Sequence, residues 1–404
     1  MGYFKKTLQG LSWSLGLRFI IRGFAVIRTI ILARILLPEQ FGAYGVATVT
    51  LAFLEMFTET GINVFLIQEK ELSKYLDTAW VASILRGLII GAIIVISAPF
   101  IASFFRSPQS LQLLQLISLV AVIRGLVNPA EVKFQKDLLF HKEFIFRGVV
   151  LFIEAAIAIS LALILRSPLS LALSLIISAI CEVIISLTFI HPLPRFKFTL
   201  DKFAQILRQG KWVTAAGIFN YLYHNADNIV IGRLLGVSSL GLYDISYKIS
   251  SLPITEISEV FGRVTFPVYT QISSDTSRLR AAFIKVMISI TAITLPLSMI
   301  LFFFPTQIIS LFLGPNWLSA APVLRLLSIY GFIRGISGST SALFLSIGKN
   351  QYVTLVTLVS VLGLAVSIVP LVLKFGLSGA AISVIIGSVA ALPVMAYFVR
   401  KTFV

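Results

Sequence analysis

Residues 78–104 read TAWVASILRGLIIGAIIVISAPFIASF. Arg86 alone carries charge in this run, and a membrane-crossing helix needs about 20 predominantly apolar residues. The stretch is therefore expected to be a transmembrane helix. Working outward from it, the same reading gives spans near 11–36, 41–67, 110–132, 144–165 and 169–190 in the first half of the chain. In the second half the spans fall near 210–235, 240–267, 281–304, 319–345, 351–373 and 377–399, which makes about twelve helices. Gly and Pro occur inside several of them. Membrane helices tolerate these residues because neighbouring helices re-satisfy the freed backbone groups.

Composition agrees. Length alone would suit two or three soluble domains. Of the 404 residues, however, 57% are hydrophobic and 12% charged, and the mean hydropathy is +0.97. A soluble domain carries about 25% charged residues. No soluble core hides this much apolar surface, whereas a bilayer does. The expected class is an all-α membrane protein.

The remaining charge is lopsided: 33 Lys+Arg against 17 Asp+Glu. A soluble chain of this balance would suggest nucleic acid. Here the basic residues collect in alternate loops. One side of the membrane holds Lys5, Lys6, Lys74, Lys133, Lys136, Lys142, Arg195, Lys197, Lys202, Arg278, Arg280, Lys349, Arg400 and Lys401, among others. The other side holds Arg34, Arg106, Arg166, Arg233 and Lys374. By the positive-inside rule both termini are cytoplasmic, and no nucleic-acid partner is expected. The N-terminal apolar stretch carries Arg18, Arg22 and Arg28, unlike a signal-peptide core, and reads as a retained first helix. Ser107-Pro108 and Ser167-Pro168 mark tight outer turns, and Trp317 in the longest outer connection is placed to anchor at the interface.

The halves resemble repeats. Aligning Arg34 with Arg233 brings Leu36 onto Leu235, Gly42 onto Gly241 and Tyr44 onto Tyr243. Late in each half, Leu169-Ser170-Leu171-Ala172 matches Leu377-Ser378-Gly379-Ala380. An even number of helices per repeat makes the repeats parallel, as in several transporter folds. The implied architecture is two six-helix bundles, 1–195 and 196–404, flanking a central cavity, and a single copy suffices for an internal two-fold of this kind.

Charges within spans are the informative residues, because an Arg at mid-membrane costs about 2.5–3.5 kcal/mol. If the first helix runs from 11 to 36, its middle lies near Phe24. Arg22 is then about 3 Å from the middle, Arg28 about 6 Å and Arg18 about 9 Å. Other deep basic residues include Arg86, Arg124, Arg263 and Arg334, and the deep acids include Glu55, Glu59, Glu154, Glu182 and Asp227. Two readings stand side by side. The arginines of the first helix form interhelical ion pairs with Glu55, Glu59 or Asp227. Alternatively Arg18, Arg22, Arg28, Arg124, Arg263 and Arg334 line a cationic cavity, with the three carboxylates as ion-pair or coupling groups. Arginine holds phosphate oxygens bidentately, so such a cavity suits a pyrophosphate or acidic sugar better than a cationic drug. Tyr221 and Tyr247 read as packing residues rather than sugar platforms, and Asp244 with Lys248 as a self-neutralising pair along one helix.

Soluble-enzyme signatures are absent: there is no GxxxxGK[ST], no GxSxG and no HExxH. One cysteine, Cys181, and three scattered histidines give no metal-ligand spacing. Neither cofactor nor metal is expected, and transport energy must come from a gradient or the membrane potential. A drug or cation exporter, a membrane enzyme of polysaccharide assembly and a structural scaffold are the competing readings. An acidic cavity would mark the first and a substantial catalytic loop the second.

Several stretches resemble a known family. Ala33–Tyr44 (ARILLPEQFGAY), continued by Thr60-Gly61 to Gln68, is similar to the first-to-second helix turn of the polysaccharide transporter family. That family includes the Wzx-type O-antigen flippases and teichuronic-acid exporters. Asp227–Gly236 (DNIVIGRLLG) with Leu240–Tyr243 (LGLY) resembles its seventh-to-eighth helix signature. Phe312–Trp317 (FLGPNW), followed by Ala320–Leu324, looks like its ninth-to-tenth turn. The resemblance implies the V-shaped fold of the multidrug/oligosaccharidyl-lipid/polysaccharide exporter superfamily, many of whose members have fourteen helices. It also implies alternating access, a cavity for the pyrophosphate-sugar head of a polyprenol-linked oligosaccharide, and a setting in the bacterial inner membrane beside polysaccharide polymerase and glycosyltransferases.

Overall fold

The structure is a computed structural model. It describes residues 21, 23–58, 61–69, 71–137 and 139–403; at 57, 58, 209–220, 222–224, 252, 253, 256, 259 and 263 it describes the backbone only. Among the described residues the regular structure is helical, with no strand. Two compact units divide the chain, Met1–Ala226 and Asp227–Val404, and the boundary falls inside one long helix.

In the first unit, α1 (23–35) is followed by α2 (Pro38–Thr58), α3 (Ile62–Gln68), α4 (Leu72–Phe104) and α5 (Pro108–Arg124). A 3-10 turn at Pro129–Val132 and the short α6 (Lys133–Lys136) lead to α7 (Phe140–Leu165) and α8 (Leu169–Phe189). Helix α9 (Leu200–Leu235) runs into the second unit. There α10 (Val237–Gln271), α11 (Thr276–Phe303), α12 (Pro305–Phe312), a 3-10 turn at Pro315–Ala320, α13 (Ala321–Ser346) and α14 (Asn350–Phe403) complete the chain. Leu72–Phe104, Phe140–Leu165, Leu169–Phe189, Thr276–Phe303 and Asn350–Phe403 are each long and apolar enough to cross a membrane. Helices α2, α9, α10 and α13 fall outside that set and each carries charged residues within its length, whereas α5, 17 residues long, joins it only together with the bent Pro129–Lys136 segment.

From Gly23 onward the helices meet the expected spans with three differences, and residues 11–20 and 22 of the first expected span lie outside the described residues. Where one span was expected over 41–67, α2 ends at Thr58 and α3 begins at Ile62, with Gly61 between them at φ 62°. Where one was expected over 110–132, α5 ends at Arg124. Asn128-Pro129 then starts a separate 3-10 turn, and the segment from Pro129 to Lys136 is bent by 71° from α5. Trp317, expected at the interface, is fully buried in its turn.

Small residues let helices approach closely, as in membrane proteins generally. A Cβ on Gly87 of α4 would lie 2.4 Å from the Ala121 carbonyl oxygen of α5, and one on Gly125 would lie 2.8 Å from Ser83 O. In the second unit, a Cβ on Gly331 of α13 would meet Ser250 O of α10 at 2.7 Å, and Ser258 Oγ donates to Gly335 O. Helix α14 is two helices joined at Gly376, whose φ of 59° and ψ of −136° reverse the chain. The two arms pack back on each other, and a Cβ on Gly363 would lie 2.9 Å from Gly387 Cα.

The outward surface is apolar. Phe100, Ile164, Phe189 and Val366 are each more than 70% exposed on helices otherwise packed on their inner faces. Apolar surface this extensive is a lipid-facing coat, not a water-facing one. The chain is a multi-pass, all-α membrane protein.

Candidate functional site

The turn after α1 shows why its sequence reads as a motif. Pro38 occupies the first position of α2, where its missing N–H costs nothing. The Gln40 side chain accepts from Leu37 N and donates to the Arg166 carbonyl, and Gln109 donates to Glu39. These bonds tie together the turns after α1, α4 and α7. Arg106 and Arg166 both adopt left-handed φ, at 52° and 46°, and each precedes a Ser-Pro pair that starts the next helix.

Inside the first unit the charged residues fall into two groups. Arg28 Nη2 of α1 lies 2.7 Å from Glu154 Oε1 of α7, with side chains 16% and 14% exposed. Tyr44 of α2 packs on the apolar cluster of Leu32, Ala158 and Ala162 on the same two helices. In the second group, Arg124 at the end of α5 stands between two acids. Its Nη1 is 3.9 Å from Glu55 of α2, and its Nε is 3.7 Å from Glu182 of α8. Arg86 of α4 donates to the Glu55 backbone carbonyl at 2.9 Å. Beyond these, Arg147 joins Glu131 and Glu143 at the α6–α7 end of the unit.

In the second unit, Asp227 is buried and accepts a 2.8 Å hydrogen bond from the Tyr243 hydroxyl and one from Asn228 N. Arg334 of α13 donates to the hydroxyls of Tyr247 and Tyr330, and its guanidinium lies over the Tyr330 ring. Lys248 and Asp244 pair at 2.6 Å along α10, as their spacing indicated. Tyr221 of the first unit is buried with its hydroxyl on Val49 O, a packing role.

The expected site residues therefore divide. Arg18, Arg22 and Glu59 lie outside the described residues, as does the Arg263 side chain. Arg28 has an acid partner among the described residues, Glu154, which is neither Glu55 nor Asp227. Glu55 instead faces Arg124, and Asp227 faces a tyrosine. Glu154 and Glu182 were visible as deep acids, but nothing in the order of residues showed which base each meets. One signal was present and unused. The alignment that sets Arg34 on Arg233 and Tyr44 on Tyr243 also sets Arg28 on Asp227. The second unit bonds Tyr243 to Asp227, and the aligned position in the first unit holds the oppositely charged Arg28.

Helices that cross a bilayer while holding guanidinium–carboxylate groups within it define a membrane transporter architecture, since intramembrane charge is retained for function. The chain belongs to the polysaccharide biosynthesis protein family, whose model matches residues 31–322. It is 28% identical over 346 residues to the lipopolysaccharide biosynthesis protein WzxC of Escherichia coli K12, covering 85% of this chain and 70% of that one. It is 24% identical over 363 residues to the teichuronic acid biosynthesis protein TuaB of Bacillus subtilis, covering 85% and 72%. Among solved structures, the lipid II flippase MurJ in an inward closed conformation superposes with a TM-score of 0.76 at 16% identity, over 96% of this chain and 88% of that one. The last likeness shows a shared fold. The resemblance to the Wzx-type polysaccharide transporters, read from the turn motifs, holds.

Proposed function

We propose that this protein is a flippase: it moves a polyprenyl-pyrophosphate-linked oligosaccharide, a polysaccharide or lipopolysaccharide precursor, from the inner to the outer leaflet by alternating access. The observation that carries the reading is a set of arginines held within apolar helices of a chain from the polysaccharide biosynthesis family. The names of its relatives, which concern lipopolysaccharide and teichuronic acid assembly, and the flippase fold point the same way. Such a protein needs no catalytic residue, because the lipid-linked substrate is moved rather than changed. The cationic residues proposed to meet the pyrophosphate are Arg18, Arg22, Arg28, Arg124, Arg263 and Arg334, and Glu55, Glu59 and Asp227 are the proposed ion-pair or coupling carboxylates. The two six-helix repeats are 1–195 and 196–404. The proposed setting is the bacterial inner membrane with both termini cytoplasmic, where one copy works alongside the polymerase and glycosyltransferases of the same polymer.

The test is made in cells lacking the protein, by measuring how lipid-linked oligosaccharide divides between the leaflets. Deletion is expected to trap it in the inner leaflet and the wild-type gene to release it. Arg124→Gln, expressed at wild-type level, is expected to slow release at least about tenfold, the scale of one lost charge-assisted contact. An unchanged leaflet distribution on deletion would overturn the reading.

A further inference from the structure

The chain between α8 and α9 leaves the bilayer at a level that helix length fixes. Helix α8 has 21 residues, about 31 Å, close to the about 30 Å of a hydrocarbon core. Its last residue, Phe189, is largely exposed, so the segment that follows starts at the membrane's edge. That segment does not project into water. Asn128 donates to the Ile190 and Pro192 carbonyls, and Lys133 to that of His191. Arg195 N donates to Asp77 of α4 at 2.8 Å, and the Phe196 ring lies 4.6 Å from that of Trp80, one turn deeper along α4. Leu85, the first exposed large apolar residue of α4, is about 8 Å beyond Trp80. At the start of α9, Lys202 donates to Lys74 O and the Tyr75 hydroxyl to Gln205, while Phe203 and Ile206 pack on α3 and α4.

We propose that residues 193–208 are an interfacial anchor, seated in the headgroup layer on the basic side of the membrane and selective for anionic phospholipid. What the strapped segment leaves uncovered carries the inference. Phe196 is 77% and Leu200 71% exposed, and Leu193, Phe198 and Leu207 are exposed with them. Arg195, Lys197 and Arg208 stand exposed among these side chains. The bases on the segment or hydrogen-bonded to it are Lys74, Lys133, Arg195, Lys197, Lys202 and Arg208. The acids so placed, among the described residues, are Asp77 and Asp201. Water suits the large apolar side chains poorly, and hydrocarbon suits the bases poorly. The boundary layer takes both, with apolar groups dipping toward the acyl chains and bases on the phosphates. Excess positive charge beside a surface of anionic lipid supplies the selectivity. The anchor is a contact with bulk lipid outside the export path, and it goes beyond the flippase reading without depending on it.

The experiment uses the purified full chain with a benzophenone amino acid in place of Phe196, or of Phe198 as a second position. The nanodiscs hold about four parts phosphatidylcholine to one of phosphatidylglycerol, which makes their surface negative. On illumination the probe is expected to link to lipid, with phosphatidylglycerol over-represented at least about fivefold against its share, the scale of one base near an anionic surface. The same probe at Val366, exposed within the first arm of α14, is expected to link to the two lipids in proportion to supply. Arg195→Gln with Lys197→Gln is expected to remove most of the excess at Phe196 while linking to lipid continues, and higher salt is expected to do the same. Thermal melts show that each variant is folded. Lipid links at Val366 with none at Phe196 or Phe198 overturn the inference. So does linking in simple proportion to supply, or an excess that the double substitution leaves unchanged. The flippase reading stands in each of these cases, because its own test is leaflet distribution.

Discussion

At Arg28 the chemistry of a single residue can be followed through. A guanidinium about 6 Å from mid-membrane would be costly alone, and Glu154 answers it at 2.7 Å. Removing one partner of a buried pair leaves the other uncompensated, at a cost of about 3–5 kcal/mol. Replacing both is far milder, because two neutral amides can bond to each other. Arg28→Gln and Glu154→Gln are each expected to lower the melting temperature of the purified protein sharply, and the double variant to recover most of the loss. Two single losses that simply add would show that the pair is not the unit of stability. The need of Arg28 for a partner was legible in the sequence, since depth and charge follow from position in the span. The identity of the partner was not. Glu154 lies on α7, and which faces of distant helices meet is decided by packing that no single sequence displays. The same limit applies to Glu182, which was one deep acid among several until α8 was seen against α5.

Helix positions were the most legible feature, because the bilayer imposes a length and a composition on each span. The differences arose where backbone geometry, not hydropathy, decides. Residues 41–67 read as one span despite Glu55 and Glu59, but α3 starts afresh at Ile62 behind Gly61, whose conformation is left-handed. After α5 ends at Arg124, Asn128-Pro129 starts a separate turn: the extended Asn caps it by accepting from Ala130 N and also donates to Ile190 O. Both breaks carry turn residues, which a hydropathy count overlooks. Trp317 misled for another reason: an aromatic near a span end reads as an interface anchor, but the turn after α12 folds over it and buries it completely. Helix α14 gives the sharpest prediction at this scale. After the reversal at Gly376, Gly379 passes so close to the end of the preceding arm that a Cβ there would lie 1.9 Å from the Leu371 carbonyl oxygen. That atom is backbone and cannot rotate away. Gly379→Ala is expected to destabilise the protein by about 1–3 kcal/mol or more, the range of overpacked sites, read as a lowered melting temperature. At Gly23, where nothing lies within 4 Å of a Cβ, the same change is expected to be silent.

For the molecule as a whole, the connections are as telling as the helices. Gly236 alone separates α9 from α10, and Gly376 alone separates the arms of α14. Phe105–Ser107 and Arg166–Pro168 make two more short turns of three residues each. By contrast, residues 191–199 form an open segment in which Arg195, Phe196, Lys197 and Phe198 are exposed. An eight-residue tag inserted after Lys197 is expected to leave export intact, while the same tag after Gly236 or Gly376 abolishes it, as measured by complementation of the deletion strain. Equal tolerance at all three places would mean that the short turns are not structural. The proposed cytoplasmic termini place these turns on the opposite side of the membrane. Connections of one to three residues leave almost no slack between the helices they join, so a helix that tilts must carry its neighbour along, like the leaves of a folding rule.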